Sequence, residues 1–278
     1  MSRRTIITLT TDFGLRDPFV GIMKGVILSL NPKVELVDLS HQVNSHDILD
    51  GAFTLLESYR FFPPGTIHLV VVDPGVGSAR RPILACTPKH AFVAPDNGVL
   101  SLAAEREETV EVRHVTADQY FLKPVSNTFH GRDVFAPVAG WLSRGIEPDK
   151  FGEVITDYLR VAPGAPPRPQ RTNANGTNEV RGSVLKVDKF GNVITNLAPV
   201  DVPELFRESP PPFRIVVNGH AITHLASAYA DGSAAEAVAI LGSAGFLELA
   251  VNLGSAAESL GVKAGADVTV VFPGPIQD

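Results

Sequence analysis

Along the first half of the chain, short apolar blocks alternate with segments whose apolar positions recur at helical spacing. "TIITLT" is a β-rich run. "DPFVGIMKGVILSLNP" then predicts a helix with Asp17 as N-cap, Pro18 at its first position, and Ile22, Val26 and Ile27 on one face. "VELVDLS" predicts a second strand, "SHDILDGAFTLLESYRFF" a second amphipathic helix capped by Ser45, and "TIHLVVVD" a third, apolar strand. This βαβαβ order implies a parallel sheet covered on both faces. Further strands are expected at "RPILACT", "HAFVAP" and "TVEVRHV", before a helix at "RDVFAPVAGWLSRG".

The pattern changes at "VAPGAPPRPQRTNANGTNE", where Pro, Gly and Asn accumulate without apolar periodicity, as in a linker. Beyond it come short β-like blocks, "VRGSVLKVD", "NVITNL", "FRIVVNG", "AVAILG" and "DVTVVF", separated by "KFGN", "NGH" and "ADG" turns. A small antiparallel barrel or sandwich follows from this spacing. The expected organisation is an α/β domain over 1–160, a linker over 161–179 and an all-β domain over 180–278.

Composition narrows the function. The 278 residues are 44% hydrophobic and 19% charged, with no apolar run near the ~20 residues of a membrane span. The N-terminus enters a strand directly, without a signal-peptide pattern, and the single Cys86 excludes an internal disulfide; both point to the cytoplasm. Cys86 lies in "PILAC", the setting of a buried, inert thiol. A net charge of -6 without clustered Lys and Arg argues against nucleic acid and favours a small-molecule ligand.

"VVVDPGVGSARR" has the outline of a phosphate-binding turn but fails its requirements. Arg80 stands where a dinucleotide fold needs its third glycine, a strand rather than a helix follows, and no G-K-[ST] is present. Asp73 instead marks the C-terminal edge of a buried strand, with Gly77 allowing Arg80 to curl back toward it. Taken alone, the same residues also fit an ordinary turn with a solvated arginine. "TTDFG" places Asp12 at the same sheet edge, suited to a ribose diol or simply to a helix-entry turn. "NTFHGRD" sets His130 just before a helix, as a general base or as part of a capping loop. "DKFGN" reads as a tight turn with Gly191 at positive φ. Ser243 lacks a hydrolase elbow, and His41 and His46 with Asp38 and Asp47 lack metal-ligand spacing.

Together, "TTDFG", "VVVDPGVGSARR", "APDNG", "NTFHGRD", "DKFGNVITN" and "GSAGFLELAVNLG" resemble the S-adenosylmethionine (SAM) hydroxide adenosyltransferases, relatives of the SAM-dependent chlorinases and fluorinases. The match runs in order through both halves. It implies an α/β domain with a mainly parallel central sheet, a C-terminal β-barrel domain, and a trimer whose sites lie between the N-terminal domain of one subunit and the C-terminal domain of its neighbour. The implied reaction is hydrolysis of SAM to adenosine and methionine by water attacking ribose C5′, without metal or cofactor. Motif matching puts the residues serving the water at Asp73, Arg80 and His130. It puts the ribose carboxylate at Asp12, a carboxylate near the methionine amino group at Asp188, an aromatic ring at Phe190 and an adenine contact at Asn192. Ser243 matches a serine near the methionine carboxylate, and Phe129 and Asn252 complete the candidate binding set. The transfer fails at His46, where the halogenases carry a Trp, and at Ala244, where they carry an Arg.

The chemistry suits these residues. A sulfonium departs as neutral methionine and needs no general acid, so all assistance belongs on the nucleophile. Asp73 can orient or deprotonate a water, Arg80 would keep Asp73 ionised, and His130 supplies a further acceptor or relay. A halide nucleophile would be repelled by Asp73, whose place in the halogenases holds an uncharged residue. The competing readings are a SAM- or adenosine-binding sensor without turnover, and a SAM-dependent halogenase.

Overall fold

The computed structural model describes residues 4–174, 177–232 and 236–273. The chain divides into two compact units, Met1–Gly164 and Ala165–Asp278.

The first unit is built on a seven-stranded sheet, in the order β2-β1-β3-β5-β4-β6-β7. Its strands are β1 (Ile6–Thr11), β2 (Glu35–Ser40), β3 (Thr66–Val71), β4 (Pro82–Cys86), β5 (His90–Pro95), β6 (Glu111–His114) and β7 (Val154–Ile155). β2, β1, β3 and β5 run parallel, while β4, β6 and β7 continue the sheet antiparallel. Helix α1 (Phe19–Leu30) packs against α4 (Ala136–Ser143) over β1 and β3. Helix α2 (Ile48–Ser58) also packs on β1 and meets the single turn α3 (Ser101–Ala104). Ile7 and Leu9 of β1, Leu69 and Val71 of β3, Met23 and Ile27 of α1 and Val138 of α4 share one core.

Local details depart from the sequence expectations for identifiable reasons. Pro18, not Asp17, occupies the cap position of α1, without a side-chain cap. Its buried face is Val20, Met23 and Ile27, while Ile22 is exposed, because packing on α4 rotates the stripe. Asp47 rather than Ser45 caps α2, accepting a 2.9 Å hydrogen bond from the Asp50 amide. The helix expected from Arg132 begins as a π-helical turn, Gly131–Phe135, and becomes α-helical only at Ala136. Cys86 is half-buried, and burial pushes its thiol up to about 11.

The second unit is an antiparallel, nearly closed barrel-like sheet in the order β12-β11-β15-β9-β10-β14-β13. Its strands are β8 (Gln170–Ala174), β9 (Thr177–Val187), β10 (Val193–Thr195), β11 (Arg214–Val217), β12 (His220–Ile222), β13 (Ala237–Leu241), β14 (Leu247–Val251) and β15 (Asp267–Pro273). A bridge between Leu225, just past β12, and Ala239 of β13 brings the two sheet ends together. Val180, Val193, Ile215, Leu247, Leu249 and Val268 fill the interior, and the short helix α5 (Ala256–Leu260) plugs it with Ala256 and Leu260. The segment expected as a linker contains β8, which pairs antiparallel with β9. Main-chain pairing makes this strand, so its sequence shows no apolar period; positions 175 and 176 of that segment lie outside the described residues. Among the described residues no helix is long and apolar enough to cross a membrane.

A histidine pair lies inside the first sheet. His68 of β3 is fully buried, its Nδ1 2.8 Å from the Thr8 hydroxyl and its Nε2 3.4 Å from His90 Nδ1. Burial, reinforced by the neighbouring His90, pushes the His68 pKa down to about 3. The unfolded chain takes up this proton near the ordinary imidazole value of about 6.5 and the folded chain does not. The neutral ring's contribution to stability is therefore complete above pH 6.5 and is lost as pH falls from there toward 3. Between pH 6.5 and 5 stability should fall by roughly 2 kcal/mol from this group alone, at about 1.4 kcal/mol per pH unit. Denaturant unfolding of the full chain at these pH values checks it: His68→Leu should be less stable at pH 7.5 yet show a shallower acid slope.

Candidate active site

The chain leaves β1 on one side to form β2 and returns on the other to form β3, so their connections diverge at the β1/β3 edge. Such a divergence opens a crevice at the carboxyl ends of the strands. Thr11 and Val71 are paired there, and Asp12 and Asp73 follow just beyond them. Two carboxylates therefore leave neighbouring strands at one edge.

Asp73 is held by a fork. Arg80 Nε donates to Asp73 Oδ1 at 2.8 Å and Arg80 Nη2 donates to Asp73 Oδ2. Both side chains are nearly buried, 5% exposed for Asp73 and 8% for Arg80. The intervening loop closes through hydrogen bonds from the Val76 amide to Asp73 O and from the Ser78 amide to Gly75 O. Arg80 Nη2 also lies 3.0 Å from His130 Nδ1, and its guanidinium carbon sits 4.9 Å above the Phe135 ring. His130 and Phe135 bracket the π turn, a distortion recurrent at functional sites. Asp73, Arg80 and His130 thus form one cluster. Arg81, adjacent in sequence, turns away to Asp96 and Asp157.

The electrostatics fix the state of His130. Guanidinium nitrogens only donate, so a ring nitrogen facing Arg80 Nη2 must accept. That requires a neutral imidazole with its proton on Nε2. Burial first, and then the Arg80 charge, lower the His130 pKa below its ordinary value, against the opposite pull of Asp73 and Asp133. Arg80 Nη1 is buried and has no hydrogen-bond partner among the described residues.

Nearby, Asp12 Oδ2 accepts the His46 amide at 2.9 Å, with His46 in the left-handed region at φ 66° and its ring largely exposed. Phe129 packs edge-on against Phe13 and Phe19, at 5.9 and 5.2 Å between ring centres. His41 belongs to the scaffold: Nδ1 is 2.9 Å from the Thr11 hydroxyl and Nε2 is 3.0 Å from Asp38.

The candidates of the second unit gather around the β9–β10 turn and the β13–β14 hairpin. Asp188 Oδ1 accepts the amides of Phe190 and Asn192, and Oδ2 accepts Asn192 Nδ2, each at 2.8 Å. Gly191 does adopt positive φ, and a Cβ there would fall 2.2 Å from Ser255 Oγ. Phe190 is 66% exposed, with Lys189 Nζ 4.8 Å from its ring centre. Asn252 Nδ2 donates to Gly232 O at 3.1 Å, and Ser243 lies in the tight turn Gly242–Phe246. Glu248 was not among the sequence candidates and stands beside them as a buried carboxylate. It is buried on β14, accepts the Tyr229 hydroxyl at 3.0 Å, and has its pKa raised by burial, offset by that bond and aided by the charge of Asp188. The signal was present, as a carboxylate interrupting the apolar run "FLELAV".

Family models match this geometry-bearing sequence in two segments. The SAM hydroxide adenosyltransferase N-terminal domain matches residues 7–152 and its C-terminal domain residues 182–269. An (R)-S-adenosyl-L-methionine hydrolase of Thermus thermophilus is 37% identical over 270 residues, 94% of this chain and 97% of that protein. The crystal structure of an uncharacterized conserved protein from Thermotoga maritima superposes with a TM-score of 0.84 at 37% identity, covering 95% of this chain and 99% of that one. A fluorinase of Nocardia brasiliensis is 28% identical over 298 residues, 96% of this chain and 97% of that protein.

One glycine controls the meeting of the two loops. Gly77 has φ 76°, and a Cβ there would lie 2.3 Å from the carbonyl oxygen of Asn127, in the loop that leads to His130. Gly77→Ala is expected to destabilise the first unit by about 1–3 kcal/mol and to separate His130 from Arg80. Denaturant unfolding and a crystal structure of the variant check both effects.

Proposed function

The chain belongs to the SAM hydroxide adenosyltransferase family, and on that premise we propose that it hydrolyses S-adenosyl-L-methionine to adenosine and L-methionine. The oxygen of a water attacks ribose C5′ as the C5′–S bond breaks. The bonding pair returns to sulfur, turning the sulfonium into a neutral thioether, and the surplus proton leaves the attacking oxygen. A thioether leaves without protonation, so the reaction needs neither a general acid nor a cofactor.

The observation that carries this reading is the hydrogen-bonded Asp73–Arg80–His130 cluster at the sheet edge. Each Asp73 oxygen accepts from Arg80 and keeps a further lone pair. In the proposed roles Asp73 receives the water's hydrogen, while His130 Nε2–H presents a donor to its oxygen. Donors fix the position of a water, and a carboxylate makes it more nucleophilic as it attacks. Asp12 would take the ribose hydroxyls, with Phe129 alongside. Asp188, Phe190, Asn192, Ser243 and Asn252 would receive the adenine and methionine ends. A homotrimer with sites shared between neighbouring subunits, and a cytoplasmic location, belong to the same proposal. Light scattering of the purified protein tests the assembly.

Attack by halide is the second reading, suggested by the fluorinase relatives. The Asp73 charge opposes it, because an anion entering beside a poorly solvated carboxylate is repelled.

Turnover of SAM in oxygen-18 water with chloride present separates the readings. The expected product is adenosine carrying the heavy oxygen at the 5′ position, with methionine in equal amount. 5′-Chloro-5′-deoxyadenosine would overturn the proposal, and bound but unchanged SAM would favour a sensor. Asp73→Asn should lower kcat by about 10²–10⁴-fold.

The pH profile has a defined sign. Protonating His130 Nδ1 sets two donors against each other at Arg80 Nη2, so activity should fall only below the ordinary imidazole range, through the lowered pKa. His130→Ala should remove this acid limb, read from kcat between pH 5 and 8.

A further inference from the structure

The "APDNG" stretch has no role in the chemistry above, yet two of its residues hold both ends of the loop that carries Asp73 and Arg80. Asp96 and Asn97 leave β5 at the same sheet edge as Asp73 and are 6% and 8% exposed. Asn97 Nδ2 donates at 2.8 Å to the carbonyl oxygen of Val72, the residue before Asp73. Asp96 Oδ2 accepts from Nε and Nη2 of Arg81, the residue after Arg80, at 2.9 and 2.7 Å. The Asp96 amide also donates to Arg81 O at 2.8 Å.

The clamp is itself anchored. Asp96 Oδ1 accepts the Leu159 amide at 2.8 Å, and Asn97 Oδ1 accepts the Val99 amide at 3.1 Å. Gly98, at φ 92°, lets Val161 O come within 2.6 Å of where a Cβ would stand. The side chains therefore have little freedom to follow a moving loop.

We infer that Asp96 and Asn97 are positioning residues: by gripping Val72 and Arg81 from one rigid turn, they fix the span across which Arg80 meets Asp73 and His130. Neither residue is placed at the substrate. A shift of about 1 Å in a reacting group can cost on the order of 10²-fold in rate without altering binding. Arg81 acquires a purpose distinct from that of Arg80, since Asp96 holds it out of the site and uses it to anchor the loop.

The role assigned to the clamp in turnover rests on the hydrolase reading, so the experiment has one readout that does not. Asn97→Ala and the milder Arg81→Lys, which keeps the charge but loses the two-pronged bond to Asp96, are compared with wild type. For each, the folded fraction, kcat and KM for SAM, and the titration of His130 by NMR of ring-labelled histidine are measured. Per folded molecule, kcat should fall on the order of 10- to 100-fold while KM changes less than about threefold. His130 should titrate higher than in wild type, because Arg80 withdraws from it while Asp73 and Asp133 remain. Unchanged kcat per folded molecule, or a fall in kcat with His130 titrating as in wild type, would overturn the inference. Absence of turnover in wild type would sink the hydrolase reading instead. The His130 titration would then still decide whether the clamp sets the geometry.

Discussion

Everything at the β1/β3 edge is arranged around one buried ion pair. A carboxylate and a guanidinium almost removed from water are tolerable only while each satisfies the other, and deleting one partner of such a pair costs about 3–5 kcal/mol. The surroundings supply the conditions. Asp73 leaves a strand whose side chains are buried on both faces, Arg80 lies over an aromatic ring, and the loop between them turns through Gly75 and Gly77. The second link, from Arg80 to His130, extends the constraint to a loop distant in sequence and holds the imidazole neutral. A strong acceptor, a cation and a neutral ring are kept within one hydrogen-bonded set.

The same pair bears on the choice of nucleophile. The proposed reaction discharges a sulfonium, and within the ion pair it is the carboxylate that is assigned to the attacking side. A carboxylate at the attacking side assists a neutral water, which becomes positive as it bonds, and opposes an anion, which must lose its hydration first. The chain's similarity to both hydrolases and fluorinases is understandable on these terms. On the proposed roles, one scaffold presents C5′ to different nucleophiles and the charge beside the nucleophile selects among them.

The strands of the first sheet were legible because burial on both faces leaves continuous apolar runs, and "VVVD" marks the point where such a run meets solvent. The Asp73–Arg80 approach was legible as a possibility, through the glycines between them. The choice of Arg80 over Arg81 rested on the spacing of the family resemblance alone, since adjacent residues of one type are separated only by the tertiary partners each finds. β8 escaped notice because its pairing is main-chain, and the caps of α1 and α2 shifted because packing decides where a helix begins. Glu248 lay in plain view, yet a carboxylate in an apolar run is informative only once Tyr229 is seen to cover it.

The π turn at Gly131–Phe135 carries a consequence for how the site can vary. An α-helix advances about 100° per residue, so a π turn is an α turn widened by one extra residue. His130 precedes that widening, whereas the helix that packs on α1 follows it. Loss of one residue between them would swing the imidazole a quarter-turn or more away from Arg80, and because Val134 and Phe135 of the turn are buried in the core it would also force repacking against α1. The position of His130 is thus encoded in chain length as much as in residue identity. A change of length at this turn would therefore move the histidine and the core together, which ties the site to the packing beneath it.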